Sequence, residues 1–376
     1  MKEVELERVA HGGVVVGRAD GKVVFVTGGL PGERVAVEIT EQGKRFDRGR
    51  VVRVLRPSPG RVEPPCPIAG KCGGCDWQHA SHELQLDLKT AIVAEQLSRL
   101  AGIAWDGRVE AVQPTTGWRT RMRYATRGSQ VGLRGRRSHE VVPLPPEGCL
   151  MAVPGPSPAQ LCELGAGAQS LSVIHASDGI SVLADGRVLA GSSWVHEQVG
   201  PFSFQVAASG FWQVHPRAAE ILLAAVIEGL RPQSGESALD LYCGSGPFAA
   251  GLDQAGARVF GVELNRQAVA NARLNVPRGR FLALPLERAL HRLPSEVDLV
   301  VLDPPRRGAG AAIVARVADL APRAIAYVAC DPASLARDVA GFALHGYQLR
   351  WIRAFDLFPM THHVECVAVL EPAADS

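Results

Sequence analysis

No apolar stretch in these 376 residues approaches the roughly 18 consecutive residues of a membrane-spanning helix. The longest runs, Ile221 to Ile227 and Asp298 to Leu302 with its neighbours, have the length of core segments, so no membrane partner is expected. Met1-Lys2-Glu3-Val4-Glu5 lacks the apolar region of a secretory signal, and a cytoplasmic location is the expectation. An excess of one charge is also missing: 40 Lys and Arg face 38 Asp and Glu, so a nucleic-acid partner is neither demanded nor excluded and local clustering decides. There is no repeat of solenoid period and no low-complexity tract. With 47% hydrophobic and 21% charged residues, the disordered, collagen-like and fibrous classes are excluded. Length points to two or three domains, and no obligate protein partner is evident.

What is present changes character along the chain. From Val4 to Leu55, short Val-rich runs separated by Gly, Asp and Pro predict a small antiparallel barrel. Its last strands carry Lys44, Arg45, Arg48, Arg50, Arg53 and Arg56, a pattern that fits an oligonucleotide face and a plain solvated surface equally well. A Pro-rich linker, Pro57 to Pro67, leads to a helix-like segment from His82 to Leu100. The region from about Gly117 to Pro201 is strand-rich, and Trp118, Arg119, Arg121, Arg123, Tyr124 and Arg127 interleave cations with aromatics as an RNA-contacting strand does. After Pro216, helices alternate with buried strands, which predicts a doubly wound parallel sheet with its ligands beyond the carboxyl ends of the strands.

Eight cysteines occur, and a long chain expected in a reducing compartment makes disulfides a poor explanation for them. Cys66-x5-Cys72-x2-Cys75 with a distant Cys149 could bind structural zinc or an iron-sulfur cluster, and spacing alone leaves the two comparable.

Four motifs carry chemistry. Asp240-Leu-Tyr242-Cys-Gly244-Ser-Gly246 is a strand, a Gly-rich turn and a helix start, without the Lys of a phosphate-cradling loop. Glu263 ends the next strand, where a carboxylate can accept both hydroxyls of a ribose, so an adenosyl ligand without pyrophosphate, such as S-adenosylmethionine, fits. Asp303-Pro304-Pro305-Arg306 keeps the chain extended at a strand end, with Arg where adenine-directed enzymes place an aromatic. Cys330 ends a buried strand beside the same crevice, as a nucleophile would; Cys243 shares that geometry but reads as a packing residue. In Asp356-Leu-Phe358-Pro359-Met-Thr361-His362-His363-Val-Glu365 a metal site lacks a further ligand, and Glu365 makes better sense as a general base.

These motifs, in this order from Phe211 to Leu370, resemble the RNA 5-methyluridine methyltransferase family. Gly12 to Leu55 resembles the TRAM barrel that precedes many members, and Cys66, Cys72, Cys75 and Cys149 resemble their 4Fe-4S ligands, with zinc as the alternative. The resemblance implies an α/β chain in three parts. Residues 1–60 would be a TRAM-like RNA-binding barrel, 61–205 a cluster-bearing, strand-rich central domain, and 206–376 a Rossmann-like methyltransferase domain. It implies Cys330 as nucleophile and Glu365 as base, with Gln213, Tyr242, Gly244, Gly246, Glu263 and Asp303 holding S-adenosylmethionine. The implied reaction is methylation of a uridine at carbon 5 in structured RNA. Ribosomal RNA of the large subunit is expected, because tRNA-directed members resemble this chain only in the catalytic domain. Other readings are a tRNA uridine or an RNA cytosine C5 methyltransferase, or an RNA-binding iron-sulfur protein with a vestigial methyltransferase fold. Three departures stand out. Asp331 follows the nucleophile where the family has Asn, and a second carboxylate there would raise the thiol pKa by repulsion. His215 replaces an Asn, and the loop Ala283-Leu-Pro-Leu-Glu287 lacks the Asp often found near adenine.

Overall fold

The computed structural model describes residues 1–128 and 130–374. Strands Lys2–Val9, Val15–Ala19, Lys22–Thr27, Arg34–Gln42 and Phe46–Arg56 close into a barrel that is antiparallel, as predicted, except where Lys22–Thr27 pairs in parallel with Phe46–Arg56. The alternation seen in the sequence points Val4, Leu6, Val15, Val24, Val26, Val35 and Val37 into its core. Closure brings backbones together where side chains would obstruct them: a Cβ on Gly17 would stand 2.4 Å from Val4 Cγ1.

The central region holds an antiparallel six-stranded sheet in the order Arg187–Ala190, Gly179–Ala184, Ser170–Ala176, Arg121–Arg127, Gln130–Arg134, Val141–Pro143, followed by the hairpin Trp194–Val199 and Phe202–Ala207. The third body is an eight-stranded sheet in the order Arg280–Ala283, Arg258–Glu263, Ser237–Leu241, Leu299–Leu302, Ala324–Ala329, Glu365–Pro372, Tyr347–Asp356, Val109–Ala111. The first five are parallel and joined through helices, as the alternation predicts. Only Glu365–Pro372 runs against its neighbours on both sides.

The segment 82–111 belongs with this sheet rather than with the central region, where the sequence reading places it. Val109–Ala111 adds a parallel edge strand beside Tyr347–Asp356. Helix His82–Ala101 is capped by Ser81, whose hydroxyl accepts from Leu84 N–H, and ends at Gly102 in the left-handed region. Its Val93 and Leu97 join the core of the sheet, whereas Leu88 and Ile92 pack with Val9, Leu30 and Trp77 against the barrel. One amphipathic helix thus ties the first body to the third. Among the described residues no helix is long and apolar enough to cross a membrane.

Candidate active site

The reversed strand creates the site. Ala329 pairs with Cys366 in register, so the carboxyl end of Ala324–Ala329 lies beside the start of Glu365–Pro372. Cys330 follows the one and Glu365 opens the other, while Asp303 follows the adjacent strand Leu299–Leu302. All three line a cleft of about 750 Å³ together with Gln213, Tyr242, Gly244 and Glu263. Gly246 is not on its surface; it caps helix Pro247–Gln254 at φ +87°, a conformation that favours glycine. Tyr242 holds φ +63° although it is not glycine, a strained backbone over the cleft, and its N–H donates to Val262 O at 2.8 Å.

The acidic groups disfavour one another's charge. Glu365 is 4% exposed, and burial, then Asp303, push its carboxyl well above the ordinary range, with Arg306 opposing. Burial, then Glu365 and Asp303, push the Cys330 thiol up to about 12, again against Arg306. Burial and then Glu263 raise Asp303 to about 7. Glu263 is aimed by two backbone donors, accepting from Asn265 N–H at 2.7 Å and Gly244 N–H at 3.3 Å. Asp240 lies beneath the Gly-rich turn and accepts from Ala249 N–H at 3.0 Å, while its other oxygen has no partner.

The departures have structural explanations. Asp331 does not act on the thiol as expected: its carboxylate caps helix Pro332–Leu344 by accepting from Ser334 N–H at 2.8 Å and meets His11 Nε2 at 2.8 Å. Glu365 and Asp303 exert the repulsion instead. His215 does not line the cleft. It is buried, stacks on Trp118 with centroids 6.0 Å apart, accepts from Arg217 N–H and lies 3.2 Å from Pro114 O, which marks it as a neutral packing residue. Leu284, Pro285, Leu286 and Glu287 of the altered loop line the cleft, making that wall largely apolar.

Two features escaped the sequence reading. Phe211, 77% exposed, stands at the rim of the cleft two residues before Gln213. An aromatic left in water beside a pocket is the available signal. The second is the clamp on the loop before Glu365. Met360 O accepts from Asp76 N–H and Trp77 N–H, Met360 N–H donates to Gln85, and Lys89 donates to Phe358 O at 3.0 Å. His362 Nδ1 meets Asp76 at 2.6 Å, and His363, which burial holds neutral, lies 3.4 Å from Arg306. These histidines are thus committed to side chains around them.

Cys66, Cys72, Cys75 and Cys149 line a second cavity of about 660 Å³, whose wall shares Arg119, Arg306, Phe358 and His363 with the first. Cys162 is not on it; it sits in helix Pro158–Leu164 against the core of the central sheet. Gly74 N–H lies 3.3 Å from Cys72 Sγ, a backbone donor suited to a thiolate, and burial raises the Cys75 thiol to about 12. Among the described residues no three His, Cys, Asp or Glu side chains are grouped to hold a single ion. The expected RNA-contacting strand divides in two: Trp118 and Tyr124 are buried and Arg121 pairs with Glu197 at 2.8 Å, leaving Arg123 and Arg127 exposed.

Residues 1–52 match the TRAM domain family and residues 287–373 match the family described as tRNA (Uracil-5-)-methyltransferase. An uncharacterized RNA methyltransferase of Streptomyces avermitilis is 44% identical, over 99% of this chain and 98% of its own. One from Corynebacterium efficiens is 37% identical over 97% and 93%. Among solved structures, the tRNA (uracil-54, C5)-methyltransferase of Pyrococcus abyssi in complex with S-adenosyl-L-homocysteine superposes with a TM-score of 0.76 at 23% identity, covering 98% of this chain and 100% of that one. A tRNA-directed protein therefore shares this fold throughout, not only in its catalytic part as the sequence reading supposed.

Proposed function

Because the chain belongs to the uracil-5-methyltransferase family of S-adenosylmethionine-dependent RNA methyltransferases, we propose that it methylates carbon 5 of a uridine through a covalent bond to Cys330. The observation that carries this reading is the convergence of Cys330, Glu365 and Asp303 on one cleft with the Gly-rich turn and Glu263.

Gln213, Tyr242, Gly244, Glu263 and Asp303 would hold the cofactor, with Gly246 setting the turn. The two backbone donors on Glu263 fix its carboxylate where it can accept ribose hydroxyls. Bound S-adenosylmethionine would supply an electrophilic methyl group and a positive sulfonium, and a cation in this cleft would lower the proton affinity of its acids and thiol. Cys330, as thiolate, adds to carbon 6 of the uracil, and the electron pair displaced toward carbon 5 makes that carbon the nucleophile for the methyl group, with S-adenosylhomocysteine as the leaving group. Glu365, as carboxylate, takes the carbon 5 proton, and the carbon 6–sulfur bond breaks to return the thiolate. Phe211, exposed beside the cleft, would stack on a base splayed out of the RNA.

For the four cysteines, an iron-sulfur cluster fits better than zinc. All four line one cavity, and Cys66-x5-Cys72-x2-Cys75 with a distant Cys149 lacks the paired C-x-x-C knuckles usual for zinc. Anaerobically purified protein should contain iron and acid-labile sulfide in equal amounts, and Cys72→Ala should lose both; zinc in their place would refute the assignment.

Large-subunit ribosomal RNA is the proposed substrate on the cysteine quartet alone, because a tRNA-directed protein shares the rest of the fold. A transfer RNA is the second reading, favoured by the fold shared in full with the Pyrococcus abyssi protein. Mapping 5-methyluridine in both RNAs from cells with and without this protein decides between them, and unchanged 5-methyluridine in every RNA would overturn the proposal.

A further inference from the structure

The barrel reaches the active site through one short loop. Gly13, at φ +76°, lies so close to His362 that a Cβ would stand 2.6 Å from its Cβ, and its carbonyl accepts from Trp77 Nε1–H at 3.1 Å. That close fit carries the neighbouring His11 onto Asp331, with Nε2 2.8 Å from Oδ2. A cavity of about 130 Å³ remains there, bordered by His11, Gly12, Arg306, Cys330, Asp331 and His363. Asp331 thus spends one oxygen on Ser334 N–H of its own helix and the other on an imidazole from a different domain. Without His11 that second oxygen would be free to turn into the cavity that Cys330 also borders.

We propose that His11 is a positioning residue for Cys330: it holds the Asp331 carboxylate against the barrel and keeps that anion from turning toward the sulfur. An acid directly after the nucleophile is then tolerated only with the barrel docked. The inference rests on the reading of Cys330 as nucleophile.

The surrounding charges agree with this arrangement. His11 faces Asp331 and Arg337 of helix Pro332–Leu344 and Glu95 of helix His82–Ala101, and Glu95 is engaged by Arg8 at 2.5 Å and Arg99 at 3.5 Å. The bond to Asp331 raises the proton affinity of His11, and that bond together with Ser334 N–H keeps Asp331 ionised. The thiol itself faces Glu365, Asp303 and Arg306, with Cys366 and neutral His363 nearby.

The test is the rate at which iodoacetamide alkylates Cys330 in the full chain, without RNA or cofactor, read by mass spectrometry of the Cys330 peptide across about pH 7 to 9. His11→Ala should slow it roughly five- to tenfold at a given pH, because an unpaired carboxylate beside a thiol raises its pKa by about one unit. His11→Ala combined with Asp331→Asn should restore the parental rate, since the anion is gone although the imidazole is still missing. Alkylation of His11→Ala at the parental rate, or a double variant as slow as the single one, would overturn the proposal. Methyl transfer by Cys330→Ala is a separate readout: activity there removes the nucleophile assignment and leaves the alkylation series to judge the His11–Asp331 contact alone.

Discussion

At the scale of single residues, proton affinity separates the two halves of the reaction. Burial and Asp303 raise the Glu365 carboxyl, and burial and Glu365 raise the Cys330 thiol, so both groups favour their protonated forms in the free enzyme. The thiol is raised above its ordinary value, so its thiolate fraction is small at neutral pH and grows tenfold per unit. Alkylation of Cys330 should therefore still be climbing at about pH 9, where an ordinary cysteine levels off. Saturation near neutrality would contradict the burial and repulsion described above. Glu365→Gln removes the base without removing the nucleophile. It should lower turnover by about 10²- to 10⁴-fold and let the Cys330–RNA adduct accumulate on ordinary RNA, visible as a denaturation-resistant band. The absence of any adduct would place the lost function before carbon 5 deprotonation.

Elements hold these residues by buried charge as well as by apolar packing. Asp356 and Lys89 are both fully buried and paired, and His82 Nε2 lies 3.1 Å from the same carboxylate. Since Lys89 also donates to Phe358 O, this pair secures the loop that leads to Glu365. Asp356→Ala would strand a buried ammonium and should cost about 3–5 kcal/mol in chemical denaturation. A loss below about 1 kcal/mol would show that Lys89 escapes to water. In the strand Arg121–Arg127 the arginines have divided tasks. Arg121→Ala leaves buried Glu197 unpaired and should destabilise the fold, whereas Arg123→Ala should leave thermal stability unchanged.

In the whole molecule, a net charge of +2 supplies little general attraction for RNA, so binding depends on where the arginines are exposed. Affinity for RNA should fall steeply with salt, and Arg123→Ala should reduce the slope of log affinity against log salt by about 0.7 to 1 if that side chain meets a phosphate. An unchanged slope would remove this face from the RNA path. The two cavities meet at Arg119, Arg306, Phe358 and His363, so the cysteine segment and the reacting cleft share a wall. The barrel completes the enclosure through helix His82–Ala101 and the loop carrying His11.

The barrel, the parallel sheet and the residues at its strand ends were legible in the chain because each depends on local pattern: alternation for Val4 to Val37, buried runs for Leu299–Leu302 and Ala324–Ala329, and glycines where a turn needs them. Side-chain partnerships at long range were not. No spacing announces that His11 meets Asp331 across 320 positions, that Asp76 holds His362, or that Val109–Ala111 completes a sheet begun far downstream. Local periodicity is written in neighbouring residues, whereas the charge state of a carboxylate or thiol depends on what burial brings beside it, and only the folded chain makes those encounters.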